Sequence, residues 1–247
     1  MDRKSDLQGI NKAVSSLHAV ATSITAFCIL KYSGWAIPKQ KSDTSPSPVD
    51  GENHPDDSLN PMIAGRSRLA NALTAWETIY LLADTWFMVY ANRKRYSLPS
   101  NSAGLRIVAK QSPILLIHHV VLTSAFLVLQ SYIAAGKEKG LWVITAFMLM
   151  NSSNPLMHAR WFVRRRTGRS SNFLDLVFLA AFATSRFGVV VWILRKYGRY
   201  HRLGVWQAYR SLREECQIGT AMLVGLNGAW WSILAAKVAT RNLRKLK

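Results

Sequence analysis

The stretch Pro113–Ile133, PILLIHHVVLTSAFLVLQSYI, decides the fold class of this chain. It is almost continuously apolar, and roughly 20 such residues in a helix cross the ~30 Å hydrocarbon core of a bilayer. Two adjacent imidazoles, His118 and His119, lie inside it, where polar side chains are costly unless they have a partner or a function. The sequence therefore predicts a membrane-spanning helix that carries a functional feature.

Five further segments share this length and apolar character. Each must be helical because backbone amides cannot stay unpaired in lipid, and the alternating strands typical of membrane β-barrels are not seen. The mean hydropathy of +0.05 averages these segments with strongly charged loops. We predict an all-α polytopic transmembrane helical bundle of about six spans. These are Ala13–Leu30, Leu69–Tyr90, Pro113–Ile133, Leu141–Val163, Phe173–Leu194 and Cys216–Val238.

The basic residues give the chain a formal net charge of +19. Many of them form short clusters that directly flank apolar segments, such as Arg93–Arg95, Arg164–Arg166 and the tail from Arg241 to Lys247. Clusters in these positions are typical of anchors at the membrane surface. Because no nucleic-acid-binding module accompanies the charge, the sequence argues against a nucleic-acid partner.

The distribution of Lys and Arg also predicts the topology. With six spans, the two termini and the second and fourth loops share one face, whose slight excess of positive charge favours a cytosolic location. We divide the chain into a short cytosolic N-terminus (1–12), a transmembrane domain (13–240) and a basic tail (241–247). The first span lacks a small-residue cleavage pattern, so we interpret it as a retained helix. The basic tail is similar to a dibasic retrieval signal, which favours the endoplasmic reticulum.

Residues 36–62 differ from the rest of the chain. They combine Pro, Ser and Asp with almost no bulky apolar side chain, and such a segment cannot offset its ordering entropy. We predict a disordered first loop in which Asp56 and Asp57 are solvated charges. Only two cysteines occur, Cys28 and Cys216, which excludes a disulfide framework or a zinc-finger ligand set.

Polar residues recur at helical spacing within the spans, and these faces should turn inward. Arginine also occurs in apolar segments, and a pairing of Arg186 or Arg160 with an interior carboxylate (Asp84, Glu77 or Asp175) would neutralise that charge. The inward-facing sets are Ser15, His18, Thr22 and Thr25; Glu77, Tyr80 and Asp84; and Asn151, Asn154 and His158.

Interior polar residues have a structural interpretation as well as a functional one. Hydrogen bonds between packed membrane helices contribute about 0.6 kcal/mol each on average. The adjacent histidines differ from such residues because neighbouring side chains on a helix point about 100° apart. His118 and His119 therefore face different surroundings, and both a functional role and a structural one stay open for them.

Several short motifs follow one another in a set order along nearly the whole chain. Together they resemble the TLC-domain family, a membrane domain shared by ceramide synthases, the translocating-chain-associated membrane protein and several lipid-related proteins. The nearest look-alikes are small members that are not synthases. The motifs are VSSLHA (14–19), IYLLAD (79–84), His118–His119, SNPL (153–156) with Arg160-Trp161 after it, Phe178 to Arg186, and LNGAW (226–230).

The ceramide synthases offer the sharpest comparison within this resemblance. Their signature follows the paired histidines with His-Asp, a second Asp three residues later and then an acidic position, which fall here on Met150, Asn151, Asn154 and His158. Both carboxylates are amides in this chain, and an amide cannot act as a general base at neutral pH. Many small family members have Glu at the first of these two positions, from which Asn151 also departs. The resemblance therefore implies the fold and a connection to lipids more firmly than a reaction.

Three functions remain open at this point. We favour a protein of membrane lipid homeostasis or lipid binding that is not a ceramide synthase, with membrane lipids as partners and no cofactor or metal. The alternatives are an acyl-CoA-dependent sphingoid-base N-acyltransferase, with His118 or His119 as general base, and a proton- or ion-coupled transporter, although no inverted repeat is found. A homo-oligomer is left open. The predicted site contains the catalytic candidates His118 and His119 and the lipid-binding residues Asp84, Asn151, Asn154 and Arg186.

Overall fold

The computed structural model describes residues 3–37 and 55–245, with side chains over residues 7–37 and 55–241. This described part is helical and contains no strand, as the sequence predicts. The helices are α1 (Arg3–Tyr32), α2 (Pro61–Ala64), α3 (Arg68–Arg95), α4 (Asn101–Gln111), α5 (Pro113–Ala134), α6 (Leu141–Phe147), α7 (Asn154–Thr167), α8 (Asn172–Ala183), α9 (Val189–His201), α10 (Val205–Arg210) and α11 (Glu214–Lys245).

Four segments of the described chain are helical, long and apolar enough to cross a bilayer. The protein is therefore a multi-pass membrane protein with a helical bundle. The two other predicted spans are helical too, but α3 is more polar and the segment from α6 to α7 is broken into shorter helices, so the count of six stays a prediction. The four segments are Leu7–Tyr32, Pro113–Ala134, Asn172–His201 and Glu214–Arg241.

Helix α1 lies at the centre of the bundle, where it packs against α3, α6 and α7. Its inner face carries Ala19, Thr22 and Ala26, which are almost completely buried. Small side chains allow the backbones of membrane helices to approach closely. The outer faces of the long helices expose large apolar side chains, as expected of surfaces that contact lipid.

Two of the predicted spans contain irregular turns. Residues Met148–Ser153 form a 3₁₀ turn directly before Pro155 in the first turn of α7, because a proline ring cannot continue the preceding helix. Thr184–Gly188 form a π-helical turn between α8 and α9. Such turns are frequent at functional sites, and this one carries Arg186.

The connections place both ends of the described chain at one end of the bundle. Lys12 of α1 lies over the Trp161 ring of α7, and Arg241 of α11 pairs with Asp175 of α8. At the opposite end, the loops after α1 and α5 meet through Arg66, which pairs with Ala36 and donates to the Gly136 carbonyl. His201 at the end of α9 contacts Asp57 of the loop after α1. Because both ends of the described chain lie at the same end of the bundle, the helices cross the membrane an even number of times. Which side is cytosolic stays a prediction.

The predicted disorder of residues 36–62 does not hold for residues 55–62, while residues 38–54 lie outside the described part. Asp57 is not a freely solvated charge: its carboxylate accepts the Tyr197 hydroxyl at 3.0 Å and lies 2.9 Å from Nε2 of His201. Asp56 accepts the backbone N–H and the hydroxyl of Ser58, which holds the pKa of its carboxyl below its usual value. Specific partners on α9 supply the stabilisation that the composition of this segment lacks.

We expect Asp57→Ala to lower the free energy of unfolding of the detergent-solubilised protein by about 1–3 kcal/mol, because the buried Tyr197 hydroxyl loses its carboxylate acceptor. The neighbouring and exposed Asp56 is the control, and Asp56→Ala should change stability by less than about 0.5 kcal/mol. Apparent melting temperatures measure both effects. Equal losses would show that the contacts of Asp57 do not hold this segment.

Candidate functional site

A buried imidazole–carboxylate pair joins α1 to α3. Nε2 of His18 lies 2.9 Å from Oε2 of Glu77, and the Thr22 hydroxyl donates to the same carboxylate at 3.4 Å. The ring of Tyr80 stacks on His18 with an interplanar angle of 6°. The polar faces predicted on these two helices therefore meet each other inside the bundle.

A second pair of the same type joins α3 to α5. Within α5, which is described throughout, His119 alone is buried. The Thr85 hydroxyl donates its single hydrogen to the Leu81 carbonyl at 2.7 Å, so it must accept from Nδ1 of His119 at 2.9 Å. Nε2 then faces Oδ2 of Asp84 at 3.5 Å.

His118 has a different environment from its neighbour. Its ring is exposed on the protein surface and forms edge-on contacts with His119 and with Trp230 of α11, at centroid distances of 6.0 and 6.2 Å. No hydrogen bond or ion pair is found for it among the described residues. His118 therefore keeps both ring nitrogens available, whereas those of His119 are occupied.

Asn151, Asn154 and Arg186 form a hydrogen-bonded chain between the segment before α7 and the π-helical turn. Arg186 donates to Oδ1 of Asn154 at 3.0 Å, and the Asn154 amide donates to Oδ1 of Asn151 at 3.3 Å. Nε of Arg186 is buried without a hydrogen-bond partner among the described residues. Arg186 also interacts electrostatically with His118.

The predicted pairing of an interior arginine is confirmed for Arg160, which donates to Asp175, but Arg186 contacts none of the three carboxylates considered. The inward orientation is confirmed for His18 and Thr22 and is wrong for Thr25, which is exposed. Glu77 and Asp84 are engaged by histidines of α1 and α5 instead of by arginines.

Sequence reasoning missed Thr85, the hydrogen-bond partner of His119. Its position gave a usable signal, because Thr78 and Thr85 lie seven residues apart and therefore on one face of α3. The second arginine partner of Asp175, Arg241, could not be foreseen because it lies 66 residues away in the chain. Within residues 7–37 and 55–241, whose side chains the structure describes, no three His, Cys, Asp or Glu side chains lie close enough together to hold a metal ion.

The family model of the TLC domain matches residues 9–236 of this chain. The chain belongs to the TLC-domain family. No curated protein and no solved structure matches it. A TLC domain indicates a function connected with membrane lipids, and the helical membrane bundle agrees with that indication.

The amide of Asn154 determines the charge environment of Arg186. In the resemblance to the ceramide synthases, Asn154 takes the position of a carboxylate of their signature. Its side-chain oxygen accepts a hydrogen bond from the guanidinium of Arg186. A carboxylate there would form an ion pair. With Asn154, the charge of Arg186 has a neutral acceptor and no acidic partner among the described residues.

We expect Asn154→Asp to raise the free energy of unfolding by about 1 kcal/mol, because the new carboxylate pairs with Arg186 at the existing contact distance. Asn151→Asp is the matched control, since Asn151 contacts Asn154 and not Arg186, and the added charge should lower stability. Melting temperatures in detergent distinguish the two. Destabilisation by both variants would contradict the assigned environment of Arg186.

Proposed function

We propose that this protein binds a membrane lipid within its TLC domain and acts in membrane lipid homeostasis in the endoplasmic reticulum, without ceramide synthase activity. The observation that carries the proposal is the division between the two adjacent histidines. His119 has both nitrogens engaged by Thr85 and Asp84, while His118 has neither engaged by the described residues and faces the surface.

The position of His118 supports a lipid as the ligand. It belongs to α5 and faces α11. In the apolar stretches of these two helices, only 6% and 0% of the residues are buried within the described protein. Helices with so little protein contact present most of their surface to lipid. A polar group of a lipid that enters between them meets the free imidazole.

The donors of Arg186 provide a second contact for such a polar group. Nε has no partner among the described residues, and the accompanying amides carry no charge that would repel a phosphate or carbonyl oxygen. Asp84 orients His119, and Asn151 and Asn154 orient Arg186. In this proposal Asp84, Asn151 and Asn154 therefore act as positioning residues for the site that contacts the lipid.

We expect His118→Ala to reduce the lipid that co-purifies with the protein at least about threefold, because one hydrogen bond to the ligand is lost. Mass spectrometry of lipids extracted from the purified protein measures this amount. Ile117→Ala is the control, since Ile117 is the adjacent residue of α5 and is 61% exposed. An unchanged lipid content in the His118→Ala, His119→Ala double variant would overturn the proposal.

One observation favours an acyl-CoA-dependent N-acyltransferase as a second candidate function. The contact between Asp84 and His119 is a carboxylate–histidine pair in the interior, and such a pair can hold and release a proton. In the reaction, the amine of a sphingoid base would attack the thioester carbonyl, CoA would leave as the thiol, and a base would accept the amine proton. His118 is the base with a free nitrogen.

We expect purified protein mixed with a long-chain base and acyl-CoA to form no more N-acyl product than the His118→Ala, His119→Ala double variant, because Asn151 and Asn154 cannot replace the carboxylates of the synthase signature. Chromatography with mass detection measures the product. If the unmodified protein forms N-acyl product and the double variant does not, the function is catalysis and not lipid binding alone.

A further inference from the structure

A cavity of about 200 Å³ lies outside the interior site, at the end of the bundle where α7 ends, α8 begins and α11 ends. Three arginines line it, Arg160, Arg164 and Arg241, together with the single carboxylate of Asp175. The site is therefore strongly basic, and the proposed function does not use it.

The carboxylate of Asp175 does not neutralise this cavity. One of its oxygens accepts from Arg160 and the other from Arg241, and Asp175 itself is 3% exposed. Arg164 has no acidic partner within the described part of the chain. Three guanidinium groups against one carboxylate leave an excess of two positive charges at the cavity.

Hydrogen-bond donors remain unused in the cavity. Arg241 contacts Asp175 and Asn172 through one terminal nitrogen, while its buried Nε has no hydrogen-bond partner among the described residues. A guanidinium carries five N–H donors in a planar fork, which matches the oxygens of phosphate. The side chains of Ser170 and Ser171 also line the cavity and add hydroxyl groups to the wall.

The location of the cavity favours a lipid as the source of the phosphate. Two of the membrane-spanning segments terminate at it, because one begins at Asn172 and another ends at Arg241. Next to it, a shallow and open depression shares Arg241 and is formed by residues of α11 alone, the exposed Ile233, Ala236, Lys237 and Thr240. The basic cavity thus opens beside the exposed face of a membrane-spanning helix, on which Ala236 and Ile233 precede Arg241.

We infer that the cavity lined by Arg160, Arg164 and Arg241 binds the phosphate of an anionic phospholipid headgroup, with an acyl chain of the same lipid along the exposed face of α11 that carries Ala236 and Ile233. Basic pockets between membrane helices are a common form of headgroup site. The volume of about 200 Å³ is below the ~300 Å³ at which sites for drug-sized ligands begin, so the basic cavity holds the headgroup and the chain lies outside it.

The test titrates dioctanoyl phosphatidic acid into the full-length protein in neutral detergent, with bound lipid counted by native mass spectrometry. Arg164→Gln should raise the dissociation constant about tenfold, because one charge-assisted contact to the phosphate is lost. Arg166→Gln is the matched control: it removes the same charge from the same exposed cluster but does not line the cavity, and it should leave the constant within about twofold. Arg164 is exposed and lies outside the Asp175 pairs, so both variants should retain the melting temperature of the unmodified protein.

Two further ligands identify the source of the phosphate. Dioctanoyl phosphatidylcholine, whose headgroup has no net charge, should bind more weakly than phosphatidic acid, and inorganic phosphate should compete with phosphatidic acid only at much higher concentration. Equal losses in Arg164→Gln and Arg166→Gln would overturn the inference in favour of diffuse surface attraction. Competition by inorganic phosphate at equal concentration, or no binding by the unmodified protein, would overturn it as well. His118→Ala should leave this binding unchanged, so the inference and the proposed function can fail independently.

Discussion

A polar side chain surrounded by hydrocarbon must find its partner inside the protein, and α3 supplies the partners on which the bundle depends. Glu77 and Asp84 lie seven residues apart, close to two helical turns, so both carboxylates occupy one face of α3. Glu77 is engaged by His18 of α1, and Asp84 by His119 of α5. Because α5 buries no other residue in the described chain, this second contact fixes which face of that helix turns inward.

The sequence predicted those parts of the structure that depend on local pattern. Long apolar runs specified the membrane helices, and spacing along α1 and α3 identified His18 and Glu77 as interior residues. The prediction from sequence failed where a contact between distant residues or a backbone irregularity determines the environment of a side chain. Asp57 is ordered by a hydroxyl 140 residues away, and Arg186 projects from a π-helical turn that shifts its face relative to Asp175. No periodicity in a single sequence encodes such contacts.

The adjacent histidines illustrate how helix geometry separates two identical side chains. A rotation of about 100° between neighbours directs His119 toward α3 and His118 toward α11. The partners of His119 are a carboxylate and a hydroxyl, so the orientation of its ring is fixed. Because α11 offers His118 only the edge of Trp230, this imidazole keeps its hydrogen-bonding capacity. One residue thus joins α5 to α3, while the next has no hydrogen-bond partner among the described residues.

Arg160 of α7 and Arg186 of the π-helical turn differ in whether their positive charge has an acidic partner. Arg160 pairs with Asp175, a carboxylate that it shares with Arg241, and its guanidinium also covers the ring of Phe178. Arg186 contacts the Phe182 ring and an amide oxygen, neither of which carries a negative charge. A positive charge kept in a membrane helix without an acidic partner is costly, and an oxygen-rich ligand group beside it would lower that cost. The amides at 151 and 154 therefore do more than remove a proton acceptor: they leave the charge of Arg186 without an acidic partner among the described residues, and the proposed lipid site depends on that charge.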